Sequence, residues 1–178
     1  MSIKEKLIAG NKSFLNEKFD GDYSLYIRED KTHHGQQPYV VVITCSDSRV
    51  VPEQIFNASL GDLFVIRVAG NIVRDYELSS VAYALEHLNT RCVVVLGHTN
   101  CGAIGAALSD HDPGKAEPLV TNLRRALKGA KNEEEATKIN VLNSTKIIKD
   151  YFKNVKELEN VEYLNAIYEI DTGKVNFF

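Results

Sequence analysis

The sequence has no large excess of charge of either sign, no long apolar run and no tryptophan. Its 178 residues carry 21 Lys and Arg against 24 Asp and Glu, a formal net charge of -3. Because these charges are spread along the chain, they form no basic surface of the kind that binds nucleic acid or an anionic membrane. The apolar run around Val40 to Thr44 is far shorter than the roughly 20 residues that cross a bilayer. We therefore expect neither nucleic acid nor a membrane as a partner.

Cysteine is scarce as well, with Cys45, Cys92 and Cys101 only. The first residues, Met1 to Lys6, carry charges where an export signal would need an apolar stretch. An odd number of cysteines in such a chain makes a disulfide framework a poor expectation and favours use of the thiols in a metal or catalytic site. We expect a cytoplasmic protein.

Linkers, repeats and low-complexity tracts are also missing, and only four prolines are present. A chain of this length can bury about 70% of its unfolded surface in a core. We therefore predict one domain over residues 1–178. Apolar residues near helical spacing between residues 3 and 19, among them Ile3, Leu7 and Phe14, predict one amphipathic helix or two shorter ones there, within an N-terminal helical arm of about residues 1–35.

Three continuous apolar runs predict strands covered on both faces, as in a parallel sheet. They are Tyr39–Thr44, Leu63–Arg67 and Cys92–Leu96. Apolar stripes over 78–88, 119–127 and 147–158 predict helices, and the turn at Asp171 predicts a closing pair of strands over 163–170 and 174–178. The fold class is therefore predicted as α/β, with a mostly parallel central β-sheet flanked by helices and preceded by the helical arm.

Side chains that could bind a metal or take part in catalysis follow the first of these strands and end the third. Cys45-Ser-Asp47-Ser-Arg49 follows the first, and Gly97-His98-Thr-Asn-Cys101-Gly102 ends the third. The carboxyl ends of parallel strands meet at one edge of a sheet, so Cys45, His98 and Cys101 are expected to lie together there. Two thiolates and an imidazole suit tetrahedral Zn²⁺, and three protein ligands with an open fourth position are the pattern of a catalytic site.

Asp47 and Arg49 lie close to one of these ligands along the chain. An Arg can hold a carboxylate in a bidentate pair and favour its ionised form, which would orient a group at the metal. Taken by themselves, however, the two residues predict an ordinary surface ion pair worth about 0–1 kcal/mol. Cys92, at the start of a strand, predicts a buried small hydrophobe.

At this point the sequence resembles the β-class carbonic anhydrases. Their signature, Cys-x-Asp-x-Arg followed by His-x-x-Cys, is present as Cys45 to Arg49 and His98 to Cys101. Segments Leu7–Phe14, Phe64–Asn71 and Tyr168–Val175 are also similar to the family's, so that the resemblance covers most of the chain. It implies one Zn²⁺ per chain, held by Cys45, His98 and Cys101, with Asp47 and Arg49 as the catalytic dyad.

The resemblance also implies substrate-binding residues. Gln36 lies where the plant-type branch has a glutamine that hydrogen-bonds substrate, and Phe64 and Tyr83 match aromatic residues of its pocket, some of which come from the neighbouring subunit. Gly102 would offer a backbone N–H. The family resemblance therefore implies a homodimer or a higher homo-oligomer.

Two positions depart from the family pattern. Val68 replaces the usual Asn after Arg67, and Val42 occupies the position of the tryptophan found in the bicarbonate-inhibited branch. We therefore expect no allosteric bicarbonate pocket. In some members of the family the equivalent of Asp47 closes the fourth metal position, and the sequence leaves open which state this chain adopts.

The resemblance implies reversible hydration of CO₂ to bicarbonate and a proton by a zinc-bound hydroxide that the Asp47–Arg49 dyad orients. Carbon disulfide hydrolases share the ligands and the dyad and remain an alternative. A non-catalytic α/β regulatory domain that binds an anion or nucleotide at Gly97 to Gly105 is another, although this spacing fits neither G-x-G-x-x-G nor a Walker loop. A Cys-x5-Arg phosphatase loop and a Cys-x-x-Cys redox motif are absent.

Overall fold

A five-stranded sheet lies at the centre of the computed structural model, which describes residues 1–178. The strands are β1 (Val40–Thr44), β2 (Leu63–Arg67), β3 (Cys92–His98), β4 (Glu162–Tyr168) and β5 (Val175–Phe177). Their order is β2-β1-β3-β4-β5, and every neighbouring pair is parallel except β4 and β5. The prediction of an α/β fold with a mostly parallel sheet is confirmed.

Seven helices surround this sheet. They are α1 (Ile3–Leu15), α2 (Leu25–His34), α3 (Pro52–Ile55), α4 (Asp75–His87), α5 (Gly102–Leu108), α6 (Glu117–Ala126) and α7 (Glu133–Phe152). Between residues 3 and 19 the structure has one helix, α1, which is one of the two forms that the spacing allowed, and α2 is a further helix of the N-terminal arm that the spacing did not predict. None of the helices is long and apolar enough to span a membrane.

The two faces of the sheet carry separate parts of the core because side chains alternate along each strand. Val41, Ile43, Val93 and Val95 point to one face, where they pack with residues of α4 and α7. The other face, which includes Val40, Val42 and Val94, packs with Leu7 of α1 and Ile55 of α3. Both faces of the central strands are therefore covered, as their unbroken apolar runs require.

Helix α7 differs most from its predicted bounds, because it begins at Glu133 and ends at Phe152 whereas the apolar stripe covers 147–158. Before the apolar stripe begins, it buries polar side chains, namely Thr137, Asn140, Ser144 and Thr145. Hydrophobic periodicity cannot detect a helix face of this composition. At the other end, Leu158 lies in a short 3₁₀ turn beyond the helix.

Candidate metal centre

Cys45, His98 and Cys101 meet at the carboxyl edge of the sheet, as the sequence predicts. Cys45 follows β1, His98 ends β3, and Cys101 caps the N-terminus of α5. The three side chains are buried, and their potential ligand atoms all lie within 4.8 Å of one another. This proximity follows from the parallel pairing of β1 with β3, which sets Thr44 beside Leu96.

The hydrogen bonding of His98 determines which ring nitrogen faces the two thiols. Nδ1 lies 2.8 Å from the carbonyl oxygen of Thr99, so that Nδ1 carries the proton and donates it to this oxygen. Nε2 consequently presents a lone pair, and this buried atom has no hydrogen-bond partner. A buried acceptor without a donor, beside two sulfur atoms, matches the donor set of tetrahedral Zn²⁺. The residues present therefore fit a zinc ion.

The two thiols share one negative charge in the absence of a cation. The pKa of Cys45 is lowered to about 4, chiefly because its thiolate accepts a hydrogen bond from Cys101 and a further one from the Gly70 N–H, although burial opposes the shift. The pKa of Cys101 is raised because its thiol donates that hydrogen bond and is itself buried. A divalent cation bound between them would take the place of the shared proton.

Asp47 and Arg49 form a well-defined pair beside the ligands. Arg49 Nε and Nη2 donate to Asp47 Oδ1 and Oδ2 at 2.9 and 2.8 Å, and the Arg49 backbone N–H donates to Oδ1 at 3.0 Å. These hydrogen bonds hold the pKa of Asp47 well below its usual range. Asp47 Oδ2 lies 4.0 Å from His98 Nε2. The carboxylate is thus fixed, ionised and adjacent to the ligand cluster.

The pair also connects the two ligand loops, since Arg49 Nη2 donates to the Asn100 carbonyl oxygen at 3.2 Å. Asn100 lies between His98 and Cys101 and has a positive φ of 54°. Both oxygens of Asp47 are bound to Arg49. Oδ2 accepts only the hydrogen bond from Nη2, so it keeps a lone pair for a further contact.

Sequence reasoning missed the role of Arg67, which holds the loop that follows β1. Its Nε donates to the Cys45 carbonyl oxygen at 3.1 Å, and its Nη2 donates to the Asp47 carbonyl oxygen at 2.6 Å. The available signal was its position at the carboxyl end of β2, paired with Thr44. An arginine at the end of a strand adjoining the ligand strand can reach that loop's carbonyl groups.

Gly70 contributes a second contact to the same loop, because its N–H donates to Cys45 Sγ at 3.2 Å. Its backbone has a φ of +68°, which side chains with a Cβ rarely adopt. A Cβ at this position would lie 3.0 Å from Leu123 Cδ1 and 3.1 Å from Ala103 Cβ. A glycine is therefore required where the backbone approaches the thiolate.

Unlike the three metal ligands, the predicted substrate-binding residues do not all lie together. Gly102 is the exposed first residue of α5, directly after Cys101. Gln36 is exposed before the amino end of β1, whereas Cys45 follows its carboxyl end. Phe64 packs against Tyr83 with ring centroids 6.2 Å apart, and Tyr83 packs against His87 at 5.3 Å. Phe64 adjoins the core shared with α4 and α7, whereas Cys45 and Cys101 belong to a separate cluster.

A single copy of the chain therefore brings Gly102 to the ligands but not Gln36. Cys92, the third cysteine, lies at the opposite end of β3 from His98, fully buried among apolar residues. Burial raises its pKa to about 12. This environment confirms that Cys92 is a buried small side chain.

Comparisons with known proteins agree with this geometry. The carbonic anhydrase family model matches residues 40–175. Carbonic anhydrase 2 of Mycobacterium tuberculosis (strain ATCC 25618 / H37Rv) is 48% identical over 110 residues, which are 62% of this chain and 50% of that protein. The chain spans about half the length of the curated relatives that it matches.

Solved structures extend the similarity over almost the whole chain. The structure of the β-carbonic anhydrase CcaA is 30% identical with a TM-score of 0.75, covering 99% of this chain and 95% of that one. A tetrameric β-carbonic anhydrase from Sordaria macrospora is 25% identical with a TM-score of 0.70, covering 98% and 93%. The segment matched by the family model contains both ligand loops.

Proposed function

The chain belongs to the β-class carbonic anhydrase family, and on this premise we propose that it catalyses the reversible hydration of CO₂ to bicarbonate and a proton. The reaction would take place at one Zn²⁺ held by Cys45, His98 and Cys101. The observation that carries the proposal is the buried, unpartnered Nε2 of His98, which lies among two thiol sulfur atoms and 4.0 Å from an arginine-bound carboxylate. The family match favours this activity over carbon disulfide hydrolysis and over a non-catalytic regulatory domain.

Zinc at this site would supply an acidic water, whose pKa falls to about 7, and hence a nucleophile near neutral pH. Asp47 has the role of orienting that nucleophile. An ionised carboxylate is an acceptor only, so it binds the nucleophile's proton and leaves a lone pair free to face CO₂. Because Arg49 lowers the pKa of Asp47, the carboxylate stays in the accepting form throughout the neutral range.

Arg49 fixes this geometry as well as the charge. Its bidentate contact allows one orientation of the carboxylate, and its further contact with Asn100 ties that orientation to the loop that carries His98 and Cys101. The Gly102 N–H, in the first turn of α5, has no carbonyl partner within the helix and is available to an oxygen of the substrate or product.

Gln36, Phe64 and Tyr83 would complete the site from a second copy of the chain. Within one copy Gln36 lies beyond the far end of the strand that precedes Cys45, and Tyr83 is 48% exposed. We therefore propose that these residues face the metal centre of a neighbouring subunit in a homodimer or larger homo-oligomer. The tetrameric relative from Sordaria macrospora supports such an assembly. CO₂ is neutral and small, so an apolar wall and one amide donor suffice to hold it.

Stopped-flow CO₂ hydration, with zinc content measured on the same sample, tests the proposal. We expect one zinc per chain and fast hydration. Asp47→Ala should retain zinc and lose about 10²-fold or more of the rate, the usual size of effect for a residue that handles the reacting proton. Asp110→Ala, in the exposed segment that follows α5, is the matched control and should leave the rate unchanged.

The outcomes separate the parts of the proposal. Stoichiometric zinc without hydration would retain the metal site and contradict the activity. Equal rates for Asp47→Ala and the unsubstituted protein would contradict the role of the dyad. A protein that binds no zinc would contradict the proposed function as a whole.

A further inference from the structure

Helix α7 contacts both cysteine-ligand loops from one face. Glu133 Oε1, in its first turn, accepts a hydrogen bond from the Cys101 backbone N–H at 3.1 Å. Asn140 Nδ2 donates to the Gly70 carbonyl oxygen at 2.7 Å, and the N–H of the same glycine donates to Cys45 Sγ at 3.2 Å. Residues seven apart lie about two turns apart on the same side of a helix. One helix face thus reaches Cys101 directly and Cys45 through Gly70.

The same face continues with Ser144, whose hydroxyl donates to the Asn71 carbonyl oxygen at 3.0 Å. Asn140 and Ser144 are 2% and 1% exposed. Buried polar side chains are costly unless their hydrogen bonds are satisfied, so these residues require the turn at 69–71 to stay in place. This turn contains Gly70, whose N–H donates to the Cys45 sulfur.

The helix is held against the sheet directly before His98. A Cβ on Gly97 would lie 2.7 Å from Val141 Cγ2 and 3.2 Å from Thr137 Cγ2, so α7 packs onto the backbone of β3 itself. This close contact leaves little freedom for the helix to slide relative to the ligand loops. The positions of Glu133 and Asn140 are therefore fixed by the core rather than by the loops that they contact.

We propose that α7 positions the two cysteine ligands of the metal centre, with Glu133 as the positioning residue of Cys101 and Asn140, through Gly70, as that of Cys45. The proposal rests on the proposed zinc-dependent function and deepens it. Cys101 is the N-terminal cap of α5, with an extended backbone and no side-chain capping bond. The Glu133 carboxylate fixes the peptide plane of Cys101 and hence the direction in which its Sγ projects.

Chelator competition for zinc and the spectrum of the cobalt-substituted protein test the role of Glu133 without reference to catalysis. Partners of ligating groups typically contribute 10–100-fold to metal affinity, so we expect Glu133→Ala to weaken zinc binding by about tenfold and to shift the thiolate-to-cobalt bands. Glu133→Gln, which keeps an acceptor oxygen, should restore both readouts. Glu134→Ala is the matched control, because Glu134 lies in the same first turn, is exposed and makes no hydrogen bond.

Asn140→Leu tests the second contact, with Thr145→Val as its control. Both substitutions remove a hydrogen bond made by a buried side chain of α7, but Thr145 Oγ1 donates to Asn165 Oδ1 of β4 and not to the ligand loops. We expect similar losses of stability in the two metal-free variants. Only Asn140→Leu should weaken zinc binding and shift the cobalt spectrum.

The inference would be overturned by equal zinc affinities in Glu133→Ala and Glu134→Ala, or by equal losses of zinc in Asn140→Leu and Thr145→Val. If Asn140→Leu fails to fold, the zinc affinities of Glu133→Ala, Glu133→Gln and Glu134→Ala test the inference without it. An unsubstituted protein that binds no zinc would overturn the proposed function first. An unsubstituted protein that binds zinc, with variants that bind it equally well, would overturn the inference alone.

Discussion

The metal-ligand edge of the sheet and the surface formed by Phe64, Tyr83 and His87 differ in how far one chain completes them. At the edge, Cys45, His98 and Cys101 are at most 5% exposed, and each has a hydrogen-bonded neighbour that fixes its position. On the aromatic surface, the Tyr83 ring packs against both Phe64 and His87 and remains 48% exposed. One chain therefore assembles the ligand set but leaves its aromatic surface open.

The difference reflects the precision with which a metal centre and a substrate pocket must be built. A metal centre requires ligand atoms placed to within a few tenths of an ångström, which covalent continuity and buried hydrogen bonds within one chain can supply. A pocket for a small neutral molecule requires only shape and an apolar wall, which a second copy can provide. The predictions below test this division, beginning with the largest expected effect.

Replacing a ligand should abolish metal binding, whereas replacing the other cysteine should not. We expect Cys101→Ser to reduce zinc from one per chain to near zero and to eliminate hydration, because a serine hydroxyl is not a zinc ligand of comparable strength. Cys92→Ala removes a buried sulfur at the far end of β3, so its zinc content should stay at one per chain. Metal analysis of both purified variants measures this. Loss of zinc from Cys92→Ala would break the proposed assignment of ligands.

A mixing experiment tests whether the aromatic surface serves the neighbouring subunit. We expect Asp47→Ala and Tyr83→Ala each to be impaired when pure. In a mixed dimer, one of the two sites would combine an intact Asp47 with an intact Tyr83 from the partner. Subunits unfolded and refolded together should therefore recover activity above the mean of the two pure variants, approaching half of the unsubstituted rate per mixed dimer. A mixture at the mean would show that Tyr83 does not act across an interface.

The metal edge was largely predictable from sequence because its signals are local. A continuous apolar run indicates a strand buried on both faces, and a thiol or imidazole at the end of such a strand must lie at the sheet's edge. Cys45 and His98 follow from this rule alone. The pairing of Asp47 with Arg49 could be anticipated from spacing, but its bidentate geometry could not.

Other features depend on contacts between residues distant in sequence, which composition and periodicity do not encode. The part of α7 before residue 147 lacks an apolar stripe because Asn140 and Ser144 occupy positions where a helix usually buries apolar residues. Arg67 and Glu133 contact ligand residues 22 and 32 positions away. The placement of Gln36 and Tyr83 relative to a metal centre depends on a second copy and stays a prediction.

Substitutions of two glycines near the metal ligands should have smaller effects, and these effects are on the stability of the fold. Gly70→Ala should destabilise the fold by about 1–3 kcal/mol, because alanine must adopt a left-handed conformation there. Its Cβ would also approach Leu123 closely. Gly105→Ala in α5 meets no atom within 4 Å and should stabilise by up to about 1 kcal/mol through helix propensity. Urea unfolding of both variants measures the difference, and equal stabilities would contradict it.

The last prediction compares how the alkylation rates of Cys45 and Cys92, which lie at opposite edges of the sheet, change with pH. In the metal-free protein, the pKa of Cys45 is lowered to about 4, so this residue is already a thiolate from pH 6 to 8 and its alkylation rate should not change with pH. The pKa of Cys92 is raised to about 12, so its thiolate fraction, and any alkylation, should rise about tenfold per pH unit. Mass spectrometry of peptides after timed treatment with iodoacetamide resolves the two residues. A Cys45 rate that rises tenfold per pH unit would mean that the hydrogen bonds from Cys101 and Gly70 do not stabilise its thiolate. The ligand set would then be organised by the metal rather than by the chain.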